Sequence, residues 1–115
     1  MAMHNAQNTR IKREYFLYLK EARRRDDKSI DPIAKALDRF EKSTGHQDFK
    51  RFHREQAVVF KRRLDTEKNE RTGKPLSRAT VHSILSALRE FFIWLAGQPG
   101  YKRRIAYSDA DYFNL

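Results

Sequence analysis

Several small or polar side chains in the segment LSRATVHSILSALREFFIWLAGQPGY, residues 76–101, are suited to contacts with a phosphate backbone. At 100° per residue in a helix, they fall on the face opposite an apolar stripe. They are Ala79, His82, Ser83 and Ser86, with Arg78 and Arg89 on the borders. Small and hydroxyl side chains allow close approach to DNA, and arginines bind phosphates or guanine edges. The alternative is an ordinary solvated helix face with a capping serine.

A second cationic face is predicted on the segment DPIAKALDRFEK, residues 31–42. The cations that point away from its apolar residues are Lys35, Arg39 and Lys42, and Lys28 comes just before the predicted helix start. Asp31 and Asp38 share this face and would repel a phosphate unless one caps the helix and the other pairs with a lysine at i+4. Taken alone, this pattern is typical of a plain charged surface.

No pattern in the sequence indicates catalysis, a metal site or a cofactor. The four histidines are scattered without HExxH spacing, and the glycines belong to no phosphate-cradling motif. The chain has no cysteine, which excludes disulfides and thiolate zinc sites and favours a reducing compartment. We therefore expect no catalytic residue, no metal ligand and no cofactor.

Hydrophobic periodicity predicts four helices that would position these two faces. The first follows a cap at Asn8 or Thr9 and ends near the sequence RRRDD. In the second, Asp31 is the expected N-cap and Pro32 the first helical residue, and the helix stops at Gly45. The chain shows no strand alternation and no internal repeat, so the sequence predicts a small all-α bundle.

The third and fourth helices are separated by a polar loop. The third is predicted over about residues 53 to 67, and the following TEKNERTGKPL, with Gly73 and Pro75, is predicted to be mobile. Ser77 then caps the fourth helix, which ends at Gly97. At about twenty residues, this helix is predicted to be roughly 30 Å long and to be the central helix of the core.

The two ends of the chain are expected to lie outside the helical domain, which we place at residues 8–100. Residues 1–7 are predicted to be disordered. Residues 101–115, YKRRIAYSDADYFNL, are predicted to be a basic linker followed by a helix that Ser108 caps and that the chain cuts off. A helix barely begun suggests that the chain is a fragment. Trp94, off the apolar stripe, is expected to pack under this segment.

The length and composition of the chain limit which class of protein it can be and which partners it can bind. At 115 residues the chain should be one domain. Its 25 Lys and Arg against 15 Asp and Glu give a net charge of +10, which favours a polyanion, most often nucleic acid. No apolar run approaches the roughly 18 residues of a membrane span and no signal peptide is evident, so a cytoplasmic protein is expected.

The sequence as a whole resembles the N-terminal core-binding domain of tyrosine recombinases, the phage-integrase family. The resemblance covers about residues 8 to 113, mostly as generic helical patterning. Its most specific part is Ser77-x-x-Thr80-Val81 followed by Leu85-x-x-Leu88-Arg89-x-Phe91-Phe92-x-Trp94-Leu95.

This resemblance implies a four-helix, SAM-like orthogonal bundle with a short C-terminal extension. Such a domain clamps one face of duplex DNA, using its second and fourth helices, while a C-terminal catalytic domain grips the other face. These are the two helices whose polar faces are described above. The DNA-binding residues expected on this basis are Lys28, Lys35, Arg39, Ser77, Arg78, Thr80, His82, Ser83, Ser86 and Arg89.

The resemblance also implies where the chemistry lies. In the family a tyrosine attacks a scissile phosphate with help from two arginines and a histidine, all in the catalytic domain, which we expect beyond Leu115. Tyr112 and the other tyrosines are therefore not expected to be the nucleophile. The expected partners are duplex DNA, the catalytic domain of the same parent chain and other recombinase protomers in a synaptic complex, but not a membrane.

Two other functions stay open at this point. One is a helical DNA- or RNA-binding protein unrelated to recombination, which the same charge would permit. The other is a helical interaction domain whose basic surface meets an acidic protein.

Overall fold

The computed structural model of the chain describes residues 5–69 and 71–114, and this part of the chain is all-helical. The α-helices there are α1 Ala6–Glu21, α2 Asp27–Ser43, α3 Arg54–Thr66, α4 Arg78–Leu95 and the short α5 Tyr107–Ala110. Single 3₁₀ turns occur at Phe49–Arg51 and Asp111–Phe113. The described residues contain no β-strand, only one isolated bridge. The predicted all-α class is confirmed.

The first helix begins earlier than predicted because a different asparagine caps it. The side-chain oxygen of Asn5 accepts the backbone N–H of Asn8 at 3.1 Å, and α1 starts at Ala6. The predicted cap at Asn8 or Thr9 was wrong. Residues 5–7, predicted to be disordered, belong to this helix start, while residues 1–4 lie outside the described residues.

The second helix also begins earlier, at Asp27. The carboxylate of Asp26 accepts the backbone N–H of Ser29 at 2.9 Å, and this hydrogen bond holds the pKa of Asp26 below its usual range. Pro32 therefore lies in the second turn of α2, where it provides no backbone N–H to the helix. The predicted start at Asp31 was wrong, and the extra turn places Lys28 on α2, one heptad before Lys35.

The apolar side of α4 forms the centre of the core. Its fully buried side chains, each at most 2% exposed, are Leu85, Leu88, Phe91, Phe92 and Leu95. The rings whose centroids lie within 5.7 Å of the Phe92 ring are Phe40, Phe49, Phe52, Phe91 and Phe113. Aromatic pairs stabilise a core beyond the apolar area they bury. This cluster therefore ties α4 to α2, to the turn before α3 and to the C-terminal segment.

The described part of the C-terminal segment, residues 101–114, packs into the core and is not the linker that was predicted. Its buried side chains, each at most 4% exposed, are Tyr101, Ile105, Ala110 and Phe113. The predicted Ser108 cap was also wrong, because α5 starts after Ala106 and has no side-chain cap. Trp94 packs instead against α1, with its ring centroid 5.0 Å from that of Tyr15. The predicted helix in this segment is present but starts one residue before its predicted cap.

A buried polar cluster fastens the N-terminal turn of α1 to the loop after α2. The Asn8 amide is fully buried; it donates to the Gln47 carbonyl at 2.8 Å and to the Glu41 carboxylate at 3.2 Å, and it accepts the Phe49 N–H at 3.0 Å. Lys12 pairs with the same Glu41 carboxylate. All hydrogen-bonding groups of the Asn8 side chain thus have partners, as buried polar groups require.

The segment between α3 and α4, predicted to be a mobile loop, is folded into a short hairpin. Lys68 and Pro75 form an antiparallel bridge, and the Asn69 N–H donates to the Lys74 carbonyl at 2.8 Å. Gly73 closes the turn with a φ of +70°, a conformation that glycine adopts without strain. We call residues 67–76 the α3–α4 hairpin; Glu70 lies outside the described residues.

Candidate nucleic-acid interface

An open groove runs between α2 and α4, and the α3–α4 hairpin forms part of its wall. Two small side chains line it, Ala36 of α2, which is 2% exposed, and Ala87 of α4. The groove encloses about 1390 Å³. Small-molecule pockets are usually about 300–1,000 Å³ and enclosed. An open groove of this size fits an extended or rod-shaped partner better.

The groove brings together side chains that the sequence analysis selected on two separate helices. Lys35 and Arg39 line it from α2, and the residues that line it from α4 are Thr80, His82, Ser83 and Ser86. His82 and Ser83 are exposed, so a partner in the groove would reach them directly. Six of the ten predicted binding residues therefore share one surface.

The other four predicted residues lie outside the groove lining. Ser77 caps α4: its hydroxyl oxygen accepts the Thr80 N–H at 3.1 Å and donates to the Thr80 hydroxyl at 2.9 Å. Arg78 is exposed in the first turn of α4, and Lys28 is exposed in the first turn of α2. Ser77 thus orients the first turn of α4, where Thr80 meets the groove.

Arg89 is directed toward the C-terminal segment. Its guanidinium Nη2 lies 3.5 Å from the Asp111 carboxylate, and its Nε is buried with no hydrogen-bond partner among the described residues. Helical angles placed Arg89 on the border of the polar face. The C-terminal segment packs against that border, which the periodicity of α4 alone does not show. The structure thus separates Arg89 from the groove-lining residues.

The groove carries an excess of positive charge. The Lys and Arg side chains that line it are Arg25, Lys35, Arg39, Lys42, Arg63, Lys68 and Arg71. Only three carboxylates line it, those of Asp38, Glu67 and Glu90. A cleft lined mainly by charges of one sign focuses the electrostatic field of the protein and attracts a partner of opposite charge. The groove is therefore electrostatically suited to a polyanion.

Two of these carboxylates, and Asp31 nearby, are paired with cations of α2. Asp38 lies 3.1 Å from the Lys42 ammonium, and Asp31 lies 3.1 Å from the Lys35 ammonium. Asp38 pairs at i+4 as expected, and Asp31 also pairs at i+4 although it was expected to be the cap. Glu67 pairs with Arg39. Exposed pairs of this kind contribute about 0–1 kcal/mol, so the cations can be transferred to phosphates at little cost.

Sequence reasoning missed several groove cations because they do not belong to a periodic helix face. Lys68 and Arg71 lie in the α3–α4 hairpin, and only the folded chain brings this connection to the groove. The sequence shows that the segments between helices contain many basic residues. It does not show which side of the folded domain these residues face.

Other kinds of site are not supported by the described residues. In residues 5–69 and 71–114, no group of three or more His, Asp or Glu side chains is placed to hold a metal ion. Within the same residues, no helix has the length and apolar character needed to cross a membrane.

The fold and the groove define a small all-α domain with a cationic groove between two packed helices. A family model described as "Phage integrase, N-terminal SAM-like domain" matches residues 13–98. The chain therefore belongs to this family, and its fold is SAM-like, as the resemblance predicted. No curated protein and no solved structure matches the chain. The match is to the N-terminal domain alone, which gives the chain a recombinase-related role.

Proposed function

We propose that the chain is the core-binding domain of a site-specific tyrosine recombinase and that it clamps duplex DNA in the groove between α2 and α4. The main support is the convergence of two polar helix faces, each selected from sequence, on one cationic groove. Family membership supports the same assignment.

The make-up of the groove favours a phosphate backbone over other partners. On the α4 side, Ala79 and Ser83 are small and exposed, so a DNA strand can approach the helix closely. On the α2 side, Lys35 and Arg39 supply cations that bind phosphates with little dependence on base sequence. The contacts should therefore position the protein on DNA more than they read its sequence.

The remaining partners follow from the same proposal. The chain would position a catalytic domain of its own parent chain on the opposite face of the duplex, and other protomers would join it in a synaptic complex. The chemistry of strand cleavage would belong to that catalytic domain, so this chain would be catalytically inert. The site of action would be the cytoplasm, at the nucleoid when bound to DNA.

The salt dependence of duplex binding tests this proposal. If about five phosphates are neutralised, the slope of log K against log salt should be near −4.5. The measurement is a titration of labelled duplex at several salt concentrations, followed by competition with unlabelled duplex or structured RNA of equal length. Preferential competition by RNA would favour a different nucleic-acid-binding role. No binding to duplex at low salt would favour a protein partner.

Glu67→Gln is expected to strengthen duplex binding about fivefold. The substitution keeps the shape of the side chain but removes a negative charge from the groove and releases Arg39 from its ion pair. A unit charge about 4 Å from a phosphate contributes about 1 kcal/mol in water, which corresponds to that factor. The measurement is the Kd for duplex at fixed salt.

Glu14→Gln is the matched control for this change. Glu14 also pairs with an arginine, Arg10, at 3.0 Å, but it lies on α1 and does not line the groove. Both variants have the same net charge. An equal gain of affinity in the two variants would show a general effect of net charge and would contradict a local role of the groove.

A further inference from the structure

We propose that the α3–α4 hairpin is a second DNA-contacting element, whose inner side neutralises phosphates of the duplex held between α2 and α4. This inference rests on the proposed function and extends the contact surface beyond the two helices. It assigns binding roles to Lys68 and Arg71, which lie on no predicted helix face.

The hairpin is held in one shape by its own hydrogen bonds. Besides the Lys68–Pro75 bridge, the Asn69 carbonyl accepts the Gly73 N–H at 2.7 Å, and the Asn69 side-chain oxygen accepts the Arg71 N–H at 2.8 Å. A contact element that is already ordered loses less conformational entropy when it binds. The cations of the hairpin are therefore displayed in a defined arrangement.

The base of the hairpin lies beside the groove at both ends. At its start, Glu67 pairs with Arg39 on α2, one of the groove-lining cations. At its end, Leu76 packs against the hydrophobic core just before the Ser77 cap of α4. The hairpin thus links the helices on the two sides of the groove.

The charges of the hairpin are available to a partner. Lys68, Arg71 and Lys74 are all exposed, and none of them forms an ion pair with another described residue. In contrast, the α2 cations Lys35 and Arg39 are paired with carboxylates. Toward the described residues, the hairpin cations can therefore meet a phosphate without first giving up an ion pair.

The hairpin has two different sides with respect to the groove. Lys68 and Arg71 line the groove, whereas Lys74 does not. A duplex in the groove would bring its phosphates to the first two residues and leave Lys74 facing solvent. Substitutions at the two groove-lining cations can therefore be compared with the same substitution at Lys74 in the same short segment.

The test compares Lys68→Ala and Arg71→Ala with Lys74→Ala in the full 115-residue chain. Each substitution removes one positive charge from the same hairpin, so the net charge is identical in all three variants. If Lys68 and Arg71 each neutralise one phosphate, each variant should reduce the salt slope of duplex binding by about 0.9 and weaken binding about eightfold at 0.1 M salt. Lys74→Ala should leave the slope unchanged.

Equal slopes in the three variants would overturn the inference, as would a larger loss in Lys74→Ala. Failure of the hairpin and failure of the proposed function are distinguishable. If the unchanged chain does not bind duplex DNA at low salt, the proposed function is wrong. If it binds, and changes in the groove weaken binding while Lys68→Ala and Arg71→Ala keep the full slope, only the role of the hairpin is wrong. Thermal unfolding of each variant shows whether folding is retained.

Discussion

Ser83→Asp is expected to weaken the binding of duplex DNA by about tenfold or more while leaving the thermal unfolding midpoint nearly unchanged. Ser83 is exposed and lines the groove from the second turn of α4. An added carboxylate about 4 Å from a phosphate costs about 1 kcal/mol in water and about 4 kcal/mol at the lower effective dielectric near a protein surface. Folding is little affected because surface substitutions usually change stability by about 0.5 kcal/mol or less.

Two further variants separate the causes of this loss. Ser83→Asn introduces a side chain of nearly the same size as that in Ser83→Asp but without charge. It therefore isolates the steric effect of a longer side chain. Ser108→Asp adds the same charge at an exposed position of α5 that does not line the groove. We expect Ser108→Asp to bind nearly as well as the unchanged chain, and Ser83→Asn to lose less affinity than Ser83→Asp. A loss in Ser108→Asp equal to that in Ser83→Asp would contradict the assignment of the groove as the binding surface.

Phe92→Ala is expected to reduce the free energy of unfolding by about 3–5 kcal/mol. The Phe92 side chain is fully buried, and its ring contacts five others, including that of Phe52 at a centroid distance of 3.9 Å. Alanine would leave a cavity and remove these ring contacts together. Because domains of this size are stable by only about 5–15 kcal/mol in total, the variant would lose a large part of its stability.

Urea denaturation measures this loss through the midpoint and slope of the unfolding transition. Leu17→Ala is the control, since Leu17 is a large apolar side chain but is 56% exposed. Its stability should be nearly unchanged. A loss below 1 kcal/mol in Phe92→Ala would mean that the ring cluster does not hold the helices and the C-terminal segment together.

The strongest predictions from sequence concerned α4. Its apolar residues repeat with the helical period over five turns, and Ser77 is a favourable cap immediately before them. Both signals are local, because periodicity and capping depend on residues within a few positions of one another. The same local geometry identified the opposite face, including His82 and Ser83, which the structure places in the groove.

The start of α2 was predicted wrongly from a local signal. Asp31 followed by Pro32 fits the preferred start of a helix, but in the structure Asp26 caps α2 by accepting the N–H of Ser29. The Asp26 start adds a turn that buries Ile30 against the core, a gain that cannot be read from the capping residues. The proline removes one backbone hydrogen bond from the second turn of α2.

The helical class, the core stripe of α4, the positive charge and the polar faces of α2 and α4 could all be predicted from the chain, because each depends on residue type and short-range spacing. The contact of Arg89 with Asp111, the place of Phe113 in the ring cluster and the position of the α3–α4 hairpin beside the groove are visible only once the helices have packed. These contacts join residues far apart in the chain. Their positions depend on how whole helices pack, a property that no short stretch of residues encodes.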